Sequence, residues 1–180
     1  EKAVLEGGMN SKDANAENCD ITLTRTELRI VDDGQGFRNR KEIDEWFEVF
    51  GMPQDPDSDK TYGQFRMGRG QMFAFGVNTW HSGKFIMSGI DIKKRGLDYD
   101  LTTQGNSSKG CDITVKLYKK LSEHDLLTTT RAIERLLRWM PSFGINLTLN
   151  GESFGKDARK EKWTFETPEA WVKLTDGSNL

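Results

Sequence analysis

Apolar residues recur at helical spacing at the start of the chain and predict a first helix over residues 2–17. Gly7 and Gly8 interrupt this pattern, and each costs ~1 kcal/mol relative to alanine inside a helix. We therefore expect the two glycines to permit a close approach by a neighbouring element or a ligand. The apolar positions that define the helix are Val4, Leu5, Met9 and Ala16.

A second helical pattern covers residues 122–140, and a shorter helix is predicted over residues 41–50. The side chains of the second helix that we expect to face the core are Leu126, Ile133, Leu136, Leu137 and Met140.

Alternating apolar and polar residues predict strands in much of the remaining chain. Residues 20–24 and 27–31 predict a hairpin, and residues 145–149 predict a strand that enters a tight turn at Asn150-Gly151. Three further strands, which we expect to form an antiparallel meander, are predicted over residues 84–92, 97–103 and 111–118.

Prolines and short polar residues predict a loop over residues 51–62, and a glycine-rich segment follows over residues 63–76. A mobile lid would have this composition. Beyond Lys156 the pattern of apolar residues weakens.

The composition is that of an ordinary soluble globular protein, with 35% hydrophobic and 30% charged residues in a length of 180 that suits one domain. A net charge of -2 gives no electrostatic reason to expect nucleic acid as the main ligand. Contact with DNA or a partner would need a local basic patch, and we expect the basic residues to be solvated turns instead. These residues are Lys93, Lys94, Arg95, Lys156, Arg159, Lys160 and Lys162.

Two distant cysteines, Cys19 and Cys111, and two histidines form no recognisable zinc motif. No apolar run is long enough to span a bilayer, and the first residues do not resemble a signal peptide. We expect a cytoplasmic protein that has no contact with a membrane.

Three polar residues of the first predicted helix are candidates for a binding site. Glu6, Asn10 and Asp13 stand at positions i, i+4 and i+7, which places two carboxylates and an amide on one face within two turns. They can converge on one ligand. Taken alone, such a triplet is more often a solvated polar face.

The second candidate is Asp32-Asp33-Gly34-Gln35-Gly36-Phe37, which follows a predicted strand. Its glycines permit a close approach to a ligand, and a buried aspartate at the strand end is suited to accept a hydrogen bond from an exocyclic amine. A simple turn is an equally good reading of this segment alone. A calcium loop of the EF-hand type is disfavoured, because its spaced ligands and terminal glutamate are missing.

The third candidate is a glycine-rich loop that precedes the apolar run Met72-Phe73-Ala74-Phe75. Free amide groups at the start of a helix suit a phosphate. An ordinary P-loop is excluded, because Arg69-Gly70 stands where lysine and serine or threonine are required. A flexible turn before a core helix is the alternative. The loop residues are Gly63, Gln64, Phe65, Arg66, Met67, Gly68, Arg69, Gly70 and Gln71.

In this order, the three segments resemble the N, G1 and G2 boxes of the GHKL superfamily, which includes gyrase B, the heat-shock chaperones of the ninety-kilodalton class, histidine kinases and MutL. Glu6, Asn10, Asp13 and Ala14 match Glu-x-x-x-Asn-x-x-Asp-Ala. Asp32, Gly34 and Gly36 match Asp-x-Gly-x-Gly, and the third segment is similar to the chaperone form of its box.

The resemblance implies roles for these residues. Glu6 would be the general base that activates water, Asn10 would bind magnesium, and Asp32 would hold the adenine amino group. The glycines, together with Gln64 to Arg69, would form the hinge and the cradle for the phosphates. The departures are Arg66, where these chaperones usually have glycine, Arg69-Gly70-Gln71, which is unlike their sequence, and Cys111, which stands where a threonine usually lies near the adenine.

The resemblance also implies the Bergerat ATP-binding fold: a two-layer α/β sandwich with a mixed, mainly antiparallel sheet and the helices on one face. We expect residues 1–155 to form this ATP-binding domain and residues 156–180 to be a linker or the start of another domain. The implied cofactors are ATP and Mg²⁺.

The implied activity is ATP hydrolysis, slow in the isolated fragment and coupled to ATP-dependent homodimerisation of a longer protein that acts on DNA or a client protein. Two alternatives stay open. One is a nucleotide-sensing or protein-interaction module without turnover, and the other is a histidine-kinase-like catalytic domain, although the chain lacks the Gly-Thr-Gly-Leu-Gly type of run.

Overall fold

Eight strands form one sheet in the part of the chain that the computed structural model describes, residues 1–49 and 68–174. The strand order is β5-β4-β3-β6-β2-β1-β7-β8. Strand β1 pairs with β7 in parallel and every other described pair in this sheet is antiparallel, which confirms the predicted mixed, mainly antiparallel sheet. The strands are β1 (Asn18–Leu23), β2 (Glu27–Asp32), β3 (Gly76–Ser82), β4 (Phe85–Ile90), β5 (Asp100–Thr103), β6 (Cys111–Leu117), β7 (Asn146–Leu149) and β8 (Glu152–Phe154).

The predicted meander is wrong in one respect. Strand β6 does not follow β5 in space but lies between β2 and β3, and β3 was absent from the sequence prediction. The hairpin of β1 and β2 is confirmed, as is the strand before Asn150-Gly151, whose φ angles of 52° and 85° form the tight turn into β8.

Four α-helical segments are present in the described residues: α1 (Lys2–Asp13), α2 (Arg40–Glu42), α3 (Gly68–Phe73) and α4 (Glu123–Leu137). The chain continues from α2 into a π-helical turn at Ile43–Phe47. The end of that predicted helix at residue 50 lies outside the described residues. Ser122 caps α4 by accepting from the amide of Asp125, and the Asp125 carboxylate bonds back to Ser122. Helix α4 ends before Met140, which starts a separate 3₁₀ turn.

The close approach expected at the two glycines of α1 is confirmed. A Cβ atom on Gly7 would lie 2.6 Å from Cδ1 of Ile30 in β2, and one on Gly8 would lie 3.1 Å from Cδ2 of Leu137 in α4. Helix α1 is thereby seated against both the sheet and α4. Of the α4 residues expected to face the core, Leu136 is 38% exposed, so that assignment is wrong, whereas Ile133 and Leu137 are buried.

The core lies on one face of the sheet. Alternate residues of β1, β2 and β3 are buried, and the residues between them are exposed or half-buried. The predicted two-layer sandwich with one open sheet face is therefore confirmed. The sheet centre contributes Ile21, Ile30, Met87 and Val115 to this core.

A separate two-stranded sheet, β9 (Phe165–Glu166) and β10 (Trp171–Val172), follows the eight-stranded sheet. It is attached through a row of indole rings, because Trp163 lies 5.4 Å from Trp139 and 6.1 Å from Trp171 between ring centroids. Among the residues that the structure describes, no helix has the length and apolar character needed to cross a membrane.

Candidate functional site

The candidate site centres on Asp32, the last residue of β2. Its neighbours across the strands are Cys19 in β1 and Cys111 in β6. The side chain of Asp32 continues the buried row of Leu28 and Ile30, so it faces the helical layer and is only 8% exposed. The Asp32 carboxylate is therefore surrounded by protein atoms rather than by solvent.

Hydrogen bonds fix the Asp32 carboxylate. Oδ1 accepts from the amides of Gly34 at 2.9 Å and Cys111 at 3.3 Å, and Oδ2 lies 3.0 Å from Oγ of Ser11. Burial raises the pKa of Asp32, and the bonds from Gly34, Ser11 and Cys111 oppose that rise. The pKa stays raised because these hydrogen bonds offset only part of the cost of removing water from the ionised carboxylate.

The adjacent Asp33 has a structural task. Its Oδ1 accepts from the amides of Glu17 and Asn18, and its Oδ2 accepts from Nδ2 of Asn18. The bonds from Asn18 come first among the causes that lower the pKa of Asp33 to about 2. Asp33 therefore ties the turn between α1 and β1 to the end of β2, while Asp32 faces the helices.

Helix α1 reaches the same strand end through Ser11. Glu6, Asn10 and Asp13 are half-buried on one side of the helix, beside the buried positions Gly7 and Ser11. The hydroxyl of Ser11 reaches both the Gly7 carbonyl and Asp32 Oδ2 at 3.0 Å, so it joins α1 to β2 directly. Ser11 was not predicted from the sequence, although it follows Asn10 immediately.

The loop after Asp32 passes against the end of α1. The amide of Gln35 donates to the carbonyl of Ala14 at 2.9 Å, and a Cβ atom on Gly34 would lie 2.8 Å from that same oxygen. Gly110, with φ of 75°, abuts the backbone carbonyl of Asp32 so closely that no side chain fits there. This contact and the Cys111 amide place the start of β6 beside the carboxylate.

The predicted phosphate loop is described only in part. Gly63, Gln64, Phe65, Arg66 and Met67 lie outside the described residues, and Gly68 begins α3. Helix α3 runs beside α1, with Cε of Met72 only 3.1 Å from the position of a Cβ atom on Gly7.

Arg69 of α3 points toward the π-helical turn. Its Nη2 donates to the carbonyl of Val49 at 2.7 Å, and its guanidinium lies 5.6 Å from the centre of the Phe47 ring. Phe47 in turn contacts Phe37, Phe73 and Trp80 edge to face. These rings connect the loop after Asp32 with α3.

A cavity of about 390 Å³ is lined by Phe47, Phe73, Tyr99 and Leu101, among others. Neither Asp32 nor the polar residues of α1 line it. The hydroxyl of Tyr99 donates to Glu48 at its rim, and burial followed by this bond raises the pKa of Tyr99 to about 12. The cavity is therefore separate from the candidate site.

A family model described as histidine kinase-, DNA gyrase B-, and HSP90-like ATPase matches residues 1–123, a span that contains every predicted site residue. No curated protein sequence matches the chain significantly.

Solved structures show the same fold. The ATPase domain of MutL from Aquifex aeolicus in complex with ADP is 14% identical with a TM-score of 0.55, over 83% of this chain and 59% of that chain. The ATPase region of topoisomerase II from Saccharomyces cerevisiae is 17% identical with a TM-score of 0.55, over 84% of this chain and 47% of that chain. The present chain thus matches about half the length of these structures.

Proposed function

The chain belongs to the family of histidine kinase-, DNA gyrase B- and HSP90-like ATPases, and from that premise we propose that it binds ATP with Mg²⁺ and hydrolyses the terminal phosphate. The observation that carries the proposal is the buried Asp32 carboxylate, held at the strand end directly beneath the polar helix α1.

Asp32 is suited to recognise the amino group of adenine. Each carboxylate oxygen accepts about two hydrogen bonds, and Oδ1 already has two amide donors. Oδ2 has the Ser11 hydroxyl, whose single proton is shared with the Gly7 carbonyl. Oδ2 therefore keeps room for one more donor, and an exocyclic amine supplies it. Guanine presents a carbonyl oxygen at the equivalent ring position, which would repel the carboxylate.

The triphosphate and its metal are assigned to α1 and the loop that precedes α3. Asn10 would hold Mg²⁺ through its amide oxygen, and the ion would neutralise charge on the phosphates. Within the described ranges, no cluster of three or more histidine, cysteine or acidic side chains could hold a metal by itself. We assign Glu6, one turn before Asn10, as the base that takes a proton from the attacking water.

We propose that the other residues predicted from the sequence contact the nucleotide as well. Asp13, Gly34, Gly36, Phe37 and Cys111 surround the base, and residues 63–70 cradle the phosphates. We further propose that ATP binding drives a conformational change or homodimerisation in a longer protein.

Calorimetry with magnesium and either ATP or GTP tests adenine recognition. Asp32→Asn should weaken ATP binding by about one to two decades, because a buried hydrogen bond to a charged acceptor contributes ~1.5–3 kcal/mol. Asp112→Asn is the matched control, since Asp112 lies next in register on the open face and pairs with Arg29. Equal affinity of the native chain for ATP and GTP would contradict the proposal, as would unchanged ATP affinity in Asp32→Asn.

A further inference from the structure

Ser82 is a buried hydroxyl residue that belongs to none of the sequence motifs. It is the last residue of β3 and is 1% exposed. Its Oγ accepts from the amide of Phe37 at 2.8 Å and lies 3.4 Å from the carbonyl oxygen of Gly110. One side chain thus connects the loop after Asp32 with the residue that precedes β6.

The backbone around Ser82 is packed too closely for other side chains. Gly36 and Gly83 have φ angles of 61°, in the left-handed region that favours glycine. A Cβ atom on Gly36 would lie 2.6 Å from the Gly110 carbonyl oxygen and 2.9 Å from Ser82 Oγ, and one on Gly83 would collide with the Phe37 carbonyl. The loop is therefore seated directly on the β3–β4 turn and on the start of β6.

The same two segments, the loop of residues 34–37 and the start of β6, also contact Asp32. Gly110 abuts the Asp32 carbonyl, the amide of Cys111 donates to Asp32 Oδ1, and the amide of Gly34 donates to the same oxygen. A shift of the loop or of the start of β6 would move the donors that orient Asp32. Ser82 restrains both segments at once.

We infer that Ser82 is a positioning residue for purine recognition, which holds the loop of residues 34–37 and the start of β6 in the arrangement that aims Asp32 at the base. This inference rests on the proposed function. The hydroxyl of Ser82 contacts Phe37 and Gly110, so it is assigned to hold these segments and not to bind the nucleotide itself.

Ser82→Ala leaves the Phe37 amide without its acceptor, and the loop is then free to shift. Loss of one such hydrogen bond corresponds to about a threefold to tenfold loss of affinity for the base. The loss should be larger for ATP than for GTP, because only the adenine base donates to a correctly aimed Asp32. Inorganic tripolyphosphate, which has no base, should bind the variant as well as it binds the native chain.

The experiment measures dissociation constants of ATP, GTP and tripolyphosphate, all with magnesium, for the native chain, Ser82→Ala and the control Ser88→Ala in β4. The ATP-to-GTP affinity ratio is the decisive quantity, because a lower folded fraction weakens both nucleotides equally and cancels. We expect the ratio to fall threefold to tenfold in Ser82→Ala and to be unchanged in Ser88→Ala. Should Ser82→Ala fail to fold, Ser82→Cys retains a weak acceptor of similar size, and its ratio should fall in the same direction.

Two results have different meanings. If the native chain prefers ATP and the ratio in Ser82→Ala equals the native ratio, the role of Ser82 is overturned while adenine recognition stands. If the native chain shows no preference for ATP, the assignment of Asp32 fails, and the role of Ser82 fails with it.

Discussion

The protonation state of Asp32 determines whether adenine would find an ionised carboxylate or a neutral carboxylic acid as its hydrogen-bond acceptor. Burial raises the pKa of Asp32, so its carboxylate takes up a proton at a higher pH than an ordinary aspartate. The folded chain binds this proton more tightly than the unfolded chain. The contribution of Asp32 to stability is therefore fully present below the unfolded pKa and is lost as the pH rises through the folded pKa.

The affinity for ATP should depend on pH in the opposite direction and rise with pH, because the ionised Asp32 carboxylate is a better acceptor for an amine than the protonated form. We predict that the ATP-to-GTP affinity ratio falls on acidification, starting at a higher pH than an unperturbed aspartate would give. Titration calorimetry from neutral to mildly acidic pH measures this ratio, and Asp32→Asn, which cannot titrate at this position, should give a flat profile. A native ratio that does not change with pH would argue against an ionised Asp32 as the acceptor.

Glu6 is the residue for which binding and catalysis should separate. Glu6→Ala should reduce the rate of ATP hydrolysis by ~10²–10⁴, the usual loss when a general base is removed. ATP affinity should change little, because the carboxylate is assigned to water. Phosphate release and equilibrium binding should be measured in this chain and in a longer form of the protein, with the exposed Glu134→Ala as control. Hydrolysis by Glu6→Ala at the parent rate would refute the mechanism, and binding without turnover in every form would favour a nucleotide sensor.

At the scale of elements, the seating of α1 depends on its two glycines. Alanine improves helix propensity by ~1 kcal/mol at either position. At Gly7 the new Cβ would lie 2.6 Å from Ile30, which is buried in the sheet, and 3.1 Å from Met72, whereas at Gly8 the nearest atom is 3.1 Å away on Leu137. Overpacking in a filled core costs ~1–3 kcal/mol.

We therefore predict that Gly7→Ala lowers the free energy of unfolding by about 1–2 kcal/mol more than Gly8→Ala does. Urea denaturation of the two variants measures this difference, and each serves as the matched control for the other. The displaced α1 of Gly7→Ala should also bind ATP more weakly. Equal stability of the two variants would show that Ile30 and Met72 adapt without cost.

Strand β3 was not predicted from the sequence, because few of its buried residues are apolar. Its buried positions are Gly76, Asn78, Trp80 and Ser82, of which only Trp80 is large and apolar. Asn78 is fully buried yet polar, and its Nδ2 donates to the carbonyls of Met72 and Gly76. The sequence of β3 therefore lacks the alternation of apolar and polar residues that would predict a strand. The strands β1, β2 and β6 and helix α4 carry clear patterns and lie within three residues of their predicted bounds, whereas α1 ends at Asp13, four residues before its predicted end.

At the scale of the whole molecule, the site is assembled from distant parts of the sequence. Ser11 and Asp32 are separated by 21 positions, Phe37 and Ser82 by 45, and Asp32 and Cys111 by 79. Motif spacing predicts Glu6, Asn10 and Asp32 as site residues, because each lies inside a short segment. The roles of Ser11 and Ser82 depend on strand order, which local patterns do not encode.

The segment after residue 155 packs outside the main apolar cluster of the described residues. The buried apolar cluster ends at Leu149, and partly buried Phe154 packs against it. Three of the described contacts join the later segment most closely to the residues that follow α4: the Lys156 amide donates to the Arg138 carbonyl at 2.6 Å, the Ala158 amide donates to Ser142 Oγ at 2.7 Å, and Trp163 packs on Trp139. Two hydrogen bonds and one aromatic pair are together worth roughly 2–4 kcal/mol.

A chain that ends at Gly155 should therefore fold cooperatively and bind ATP like the parent, but its free energy of unfolding should be lower by about 2–4 kcal/mol. Urea denaturation followed by circular dichroism measures this loss without relying on the tryptophans that are removed. The control is a chain that ends at Leu174, which keeps all three contacts and should match the parent. A chain ending at Gly155 that unfolds without a cooperative transition would place the domain boundary after residue 155, because the core would then need the Trp139–Trp163 contact in order to form.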